Sequence, residues 1–321
     1  MPQIRRLGAI VLVTLTCVLG ASEAEAATAR VAVLRMVALG DSYSAGVGVG
    51  AVGFGCDRDG LAYAPRARND LLPASYRIDR FAFVACSGAK TGDVTKQLAS
   101  VAPTDNVVSI TVGGNDIGFG PKISGCAFGA CGPDTYGLQA DVRGGTQTWS
   151  GLFNKLVNVY VSIRRRMAAT GHLYVLSYPI PFSRDATSSC NGFTATEQNA
   201  ANALVTRLDD TISQATQRAA EVLRSLHGRP GHVRFVDWRT GIRIANGYTI
   251  PQGKPGAGQQ FATYKSPDGL CNTRGRTAFI NGYVAAFPAG GNPLGNSFHP
   301  KSNGYWKAAQ LLHAAIRTYQ P

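Results

Sequence analysis

Four short stretches of this sequence hold residue types that can do chemistry. The first is Val37-Ala38-Leu39-Gly40-Asp41-Ser42-Tyr43-Ser44, an apolar run that stops at a glycine and places a serine just beyond it. In open parallel sheets ligands bind beyond the carboxyl ends of the strands, so Ser42 is well placed to act as a nucleophile. Asp41 reads as a turn residue that hydrogen-bonds the backbone, and Ser44 is the competing hydroxyl. The second stretch, Cys86-Ser87-Gly88-Ala89, also follows an apolar run; a glycine there lets the backbone approach a ligand and present an N–H. The third, Thr111-Val112-Gly113-Gly114-Asn115-Asp116, sets the neutral amide of Asn115 at the same rim. The fourth, Asn296-Ser297-Phe298-His299-Pro300, puts an imidazole in a loop before a final helical pattern. Each has an ordinary reading as well: Asn115 as a turn residue after Gly-Gly, His299 as a loop histidine with structural hydrogen bonds.

Elements able to position these stretches are visible in the pattern. Apolar runs rich in β-branched residues recur at 36–40, 77–84, 107–112, 173–178 and 233–238, and three of the four stretches begin where such a run ends. Residues 149–170 carry Leu152, Leu156, Val159 and Ile163 at the spacing of one helix face. Residues 196–226 form a longer helical pattern with Leu204, Leu208, Ile212 and Ala215 on a stripe and Glu197 near the start. A last helix is predicted over 302–318, with Pro300 just outside it. Strands alternating with helices imply a parallel sheet of about five strands covered on both faces, a three-layer α/β/α sandwich. Residues 119–148 and 240–300 are Gly-rich and weakly periodic; the second is unusually long for a loop in one domain, and such segments commonly carry function.

The chain has 321 residues, 38 of them Gly, with 45% hydrophobic and 16% charged residues, a globular composition. A formal net charge of +13 is compatible with nucleic acid or anionic surfaces. The basic residues are scattered, however, and no finger, RNP-like or basic-zipper pattern supports a nucleic-acid role. The one tight run, Arg164-Arg165-Arg166, reads as a solvated helix face. Arg5 and Arg6, the apolar stretch 7–19 and Ala24-Glu25-Ala26 have the layout of an export signal cleaved after Ala26. The expectation is a signal peptide over 1–26, one catalytic domain over 27–321, and a secreted product. Of seven cysteines, Cys17 would leave with that signal. The other six read as three disulfides, since an even count in an exported chain favours staples over metal ligands. Six cysteines allow fifteen connectivities; the favoured one pairs them in order, Cys56–Cys86, Cys126–Cys131 and Cys190–Cys271. No ligand spacing for a metal is present.

Gly40-Asp41-Ser42-Tyr43, Gly88, Gly113-Gly114-Asn115-Asp116 and His299-Pro300 together, in this order and at these separations, resemble the four blocks of the SGNH (GDSL) hydrolase superfamily. The six-cysteine arrangement resembles its secreted bacterial lipases, esterases and phospholipases. The resemblance implies a flavodoxin-like SGNH fold and a serine ester hydrolase that needs no cofactor. It implies Ser42 as nucleophile and His299 as general base, with an oxyanion hole of the Ser42 N–H, the Gly88 N–H and the Asn115 amide. One departure stands out. The family usually has Asp three residues before the histidine, where this chain has Asn296. The expected substitute is a main-chain carbonyl, that of Asn296 or Ser297, accepting from His299 Nδ1.

Lipid acyl esters are the expected substrates, with a phospholipase A-type activity, a carbohydrate acetylesterase or a catalytically silent binding module as the alternatives. Phe54, Phe119, Phe261, Phe279 and Phe287 either line an acyl groove or pack the core beneath the loops. The positive, Arg-rich chain suits a transient anionic membrane or lipid interface, and a monomer is expected. Three look-alikes are set aside as turns. Gly48 to Gly53 matches GxGxxG but stands apart from the strand, Gly88-Ala89-Lys90-Thr91 is not a phosphate loop, and no GxSxG elbow surrounds Ser42.

Overall fold

Val33–Gly40 (β1), Arg77–Phe83 (β2), Val107–Thr111 (β3), His172–Leu176 (β4) and Val233–Val236 (β5) form the central sheet. All neighbours are parallel, in the order β2-β1-β3-β4-β5. Every residue of β3 and β4 is buried, as strands covered on both faces require. The computed structural model describes residues 31–50, 55–120, 122–123, 146–183, 190, 192–227, 232–239, 242–244, 249–250, 259–260, 263–265, 269–271, 278–281 and 296–319.

Three helices follow early strands: Ser42–Ala45 (α1), Tyr63–Arg66 (α2) and Thr91–Gln97 (α3). Thr146–Arg166 (α4) and Ala195–His227 (α5) pack on each other, and Ser302–Tyr319 (α6) packs on α2 and on β4 and β5. The stripes Leu152, Leu156, Val159, Ile163 and Leu204, Leu208, Ile212, Ala215 are buried in the core, as their helical spacing requires. Thr194 and Glu197 start α5 with reciprocal bonds: Thr194 N–H donates to Glu197 Oε2 at 2.7 Å and Glu197 N–H to Thr194 Oγ1 at 3.3 Å, a capping box. The result is the expected α/β/α sandwich. Its strand order reverses direction between β1 and β3, and ligands bind at such a switch point.

The basic run at the end of α4 departs from the solvated-face reading. Arg165 and Arg166 are exposed, but Arg164 is buried, and its guanidinium donates to the carbonyls of Ala168 and Ala169. It satisfies carbonyls just past the helix end, where a cation also meets the negative end of the helix dipole. The long stretch 240–300 contains small antiparallel pairs, Ile242–Ile244 (β6) with Thr263–Lys265 (β9) and Thr249–Ile250 (β7) with Gln259–Gln260 (β8). The Cys190–Cys271 disulfide and the bridges Phe182–Leu270 and Ile280–Pro300 tie its described parts down. Phe119 and Phe279 are half-buried against the core. Phe54, Phe261, Phe287, the Cys126–Cys131 pair and residues 1–26 lie outside the described residues.

Candidate active site

The chain leaves β1 through Gly40, whose φ of +117° suits glycine and whose missing Cβ would collide with the Thr111 carbonyl. The buried Gln97 side chain accepts from Gly40 N–H at 2.7 Å and donates to Gly40 C=O at 2.9 Å, so it pairs with this residue as a neighbouring strand would. Asp41 then caps α1 by accepting from Tyr43 N–H at 3.1 Å, and Ser42 becomes the first helical residue. Ser44 is committed elsewhere: its hydroxyl lies 2.8 Å from Thr111 Oγ1 and 2.9 Å from Tyr63 OH, and accepts from Thr111 N–H at 2.9 Å.

His299 reaches the same point from the far end of the chain. Its Nε2 lies 2.8 Å from Ser42 Oγ, across 257 positions of sequence, and its Nδ1 lies 3.1 Å from the Ser297 carbonyl. A carbonyl only accepts, so Nδ1 carries the proton and Nε2 is left to accept from the serine hydroxyl. The Asn296 carbonyl instead accepts from His299 N–H at 3.3 Å. The Asn296 side chain points away, its Nδ2 3.4 Å from the Gly50 carbonyl. Phe298 bends the loop with a φ of 60°. Asn281 brackets it, accepting from Phe298 N–H at 3.1 Å and donating to His299 C=O at 2.9 Å. Tyr43 supports the imidazole, with ring centroids 4.8 Å apart and its hydroxyl donating to Phe298 C=O at 2.9 Å.

The donor groups come from the second and third stretches. Gly88 has a φ of +79°, and a Cβ there would meet nothing within 4 Å, so its backbone borders open space. The Cys56–Cys86 disulfide and a 3.0 Å bond from Ser87 N–H to Cys56 C=O hold that loop. Among the described residues, neither the Ser42 nor the Gly88 N–H has a protein acceptor. Asn115 Nδ2 donates to Ala89 C=O at 3.0 Å, which fixes the amide plane and leaves its second hydrogen available. Asp116 clamps the two stretches together by accepting from Thr91 N–H at 2.9 Å and Thr91 Oγ1 at 2.6 Å.

Beneath the site lies a carboxylate to which no basic side chain is bonded among the described residues. Asp41 accepts from Thr111 Oγ1 at 2.6 Å and from the Tyr178 hydroxyl. Burial pushes its pKa up from 3.8 to about 6, against the opposing pull of these donors. Sequence reasoning passed over Tyr178, Gln97 and Gly48. Tyr178 does stand at the carboxyl end of the fourth predicted strand, where the strand-end rule locates ligand sites. Gly48, dismissed as part of a look-alike motif, packs behind His299.

Residues 38–307, which include all four stretches but for Val37, match the GDSL-like lipase/acylhydrolase family. A lipase from Streptomyces rimosus is 36% identical over 220 residues, 66% of this chain and 76% of the relative. Lipase 1 from Streptomyces coelicolor is 33% identical over 209 residues, 65% of this chain and 75% of the relative. The crystal structure of the extracellular lipase from Streptomyces rimosus is similar at a TM-score of 0.62 and 26% identity, covering 88% of this chain and 99% of that one. Phospholipase A1 from Streptomyces albidoflavus has a TM-score of 0.61 at 24% identity, covering 87% and 98%, a likeness of fold. The chain is thus an ester hydrolase belonging to the GDSL-like lipase/acylhydrolase family.

Proposed function

We propose that this protein hydrolyses acyl esters of lipids with Ser42 as nucleophile and His299 as general base. The observation that carries the assignment is the pair of contacts on one imidazole, Nε2 at 2.8 Å from Ser42 Oγ and Nδ1 at 3.1 Å from Ser297 C=O. Ser42 Oγ bonds to the ester carbonyl carbon as its proton passes to Nε2. The carbonyl oxygen takes up the electron pair and is met by the Ser42 N–H, the Gly88 N–H and the Asn115 amide. His299 then protonates the departing alkoxide, leaving an acyl-Ser42 ester. Water attacks that ester with the same histidine as base, and the fatty acid and free serine result. The Ser297 carbonyl orients the ring in place of a carboxylate. The cycle draws on no metal or organic cofactor.

Relatives described as lipases, and a fold neighbour described as a phospholipase A1, support a lipid substrate. Disulfides at Cys56–Cys86 and Cys190–Cys271 suit an oxidising compartment, and a structural relative is described as extracellular. Both support export. A net charge of +13 favours transient contact with anionic lipid surfaces by a monomeric enzyme.

The test is hydrolysis of p-nitrophenyl esters from acetyl to palmitoyl, together with emulsified triacylglycerol and phosphatidylglycerol vesicles, by the oxidised protein and its Ser42→Ala variant. Activity that rises at medium or long chains and vanishes in the variant is expected. Activity confined to acetyl esters would assign a carbohydrate acetylesterase instead, and activity surviving in Ser42→Ala would overturn the nucleophile assignment.

A further inference from the structure

The hydroxyl of Tyr178 joins two of the site's turns. It donates to Asp41 Oδ2, next to the nucleophile, and accepts from the Gly114 N–H at 3.0 Å, next to Asn115. The direction of this chain is fixed by chemistry. An amide N–H can only donate and an ionised carboxylate can only accept, so the single hydroxyl proton goes to Asp41. Tyr178 is 3% exposed, and its ring lies flush against the Gly114 backbone. A Cβ on Gly114 would stand 3.3–3.4 Å from the Cζ, OH and Cε1 atoms of Tyr178. Tyr43 packs edge-on to the same ring with centroids 4.9 Å apart, and Tyr43 is the residue that supports His299. No other described side chain bonds the Gly114 N–H, and none bonds both Asp41 and the Asn115 turn.

We propose that Tyr178 is a positioning residue that sets the distance between the Ser42 turn and the Asn115 turn, and thereby the aim of the Asn115 amide at the developing oxyanion. The proposal rests on the reading of Asn115 as an oxyanion donor. It differs from a core role for a satisfied tyrosine, because a hydroxyl that only stabilises the fold has no reason to act through Asn115. The chain of action runs from Asp41 through the Tyr178 hydroxyl to the Gly114 peptide, and from that peptide directly into the Asn115 backbone. Oxyanion stabilisation depends steeply on donor placement in the transition state. A shifted Asn115 therefore lowers kcat while leaving ground-state binding, and so KM, nearly as it was.

The experiment is a double-mutant cycle with Tyr178→Phe, Asn115→Ala and the double variant, assayed on p-nitrophenyl butyrate with melting curves in parallel. Tyr178→Phe is expected to lower kcat about 10-fold or more with KM within about twofold, and to add less than about threefold in the Asn115→Ala background. Multiplication of the two full losses in the double variant, or a kcat within about twofold of wild type in Tyr178→Phe, overturns the proposal. Retained kcat in Asn115→Ala alone instead removes the oxyanion reading on which it rests. Should Tyr178→Phe fail to fold, Gly114→Ala separates the same turn from the intact ring. It must then show the same kcat-only loss, and the same non-additivity with Asn115→Ala, or the proposal falls.

Discussion

Gly48 lies directly behind His299: a β-carbon added to it would stand 2.8 Å from the His299 β-carbon and 2.6 Å from the Pro300 carbonyl oxygen. The Gly48 carbonyl also accepts from Asn281 Nδ2 at 2.7 Å, and Asn281 brackets the histidine loop. A residue distant in sequence thus forms the back wall of the imidazole's seat. Gly48 has a φ of +107°, which an L side chain tolerates poorly, so Gly48→Ala both strains the backbone and pushes the histidine loop outward. We expect kcat on a short ester to fall at least about 10-fold, with a loss of about 1–3 kcal/mol in stability. Gly92→Ala is the control. Gly92 sits in α3 with nothing within 4 Å of an added Cβ, so that variant should keep full activity and gain about 0.5–1 kcal/mol. Chemical denaturation and steady-state kinetics on both variants decide it.

Asn296 stands where a carboxylate would be expected, yet the bond to Nδ1 comes from Ser297 C=O at 3.1 Å. Since the Asn296 side chain faces the Gly50 carbonyl at 3.4 Å, Asn296→Ala should leave kcat within about threefold of wild type, because no transition-state contact is removed. Asn296→Asp should not raise activity. It would bring a carboxylate against a carbonyl oxygen, and a stability loss of about 1–3 kcal/mol is expected. A 100-fold fall in kcat for Asn296→Ala would show that the side chain, rather than the Ser297 carbonyl, orients the imidazole.

The five strands begin and end within a few residues of where the apolar runs predict them; β1, β3 and β4 are buried along most or all of their length, which leaves a dense sequence signal. Ser42, Gly88, Asn115 and His299 were legible for a related reason: each is a chemically distinctive residue at or beyond the end of such a run or just before a helix. The choice between Asn296 and Ser297 was not legible. It is made by the 60° φ of Phe298, which turns one carbonyl toward Nδ1 and leaves the other on the backbone N–H. Arg164 looks like its neighbours in sequence, and only the turn after α4 separates its buried guanidinium from the exposed Arg165 and Arg166. The hairpins at 242–265 escaped because strands of two or three residues are too short to show a period.

The two described disulfides should behave differently when removed. Cys56–Cys86 closes a separation of 30 residues and sits two positions before Gly88, whereas Cys190–Cys271 closes 81 residues and ties down the segment that follows β9. Chain entropy makes each worth about 3–5 kcal/mol, the longer loop somewhat more. The variant lacking Cys190 and Cys271 should therefore lose more thermal stability yet keep most of its kcat at low temperature. The variant lacking Cys56 and Cys86 should lose kcat well below its melting temperature, because the Gly88 N–H is no longer held. Equal residual kcat in the two variants at a temperature where both are folded would count against this division of roles.

The last prediction concerns acid stability and sits at the opposite end of the strands. His172 and His232 stack face to face, ring centroids 4.1 Å apart and planes within 7°. Burial, each other's proximity and the nearby Arg234 and Arg164 push His172 down from 6.5 to about 3, and burial followed by the same two arginines lowers His232. The unfolded chain therefore binds protons near pH 6.5 that the native state refuses until much lower pH. By linkage the stability that His172 contributes is present above pH 6.5 and is lost as pH falls toward 3. Asp41 acts in the opposite sense: raised to about 6, it takes up its proton in the native state first and favours folding as pH falls from 6 to 3.8. Absolute stability curves mix these effects, but a difference between variants isolates one. His172→Phe keeps a ring in the stack and removes the titration, and His172 Nδ1 makes no hydrogen bond among the described residues. The melting temperature of His172→Phe relative to wild type should then rise steadily as pH is lowered from 7.5 to 5. Parallel curves across that range would mean that the stacked pair does not set the acid response.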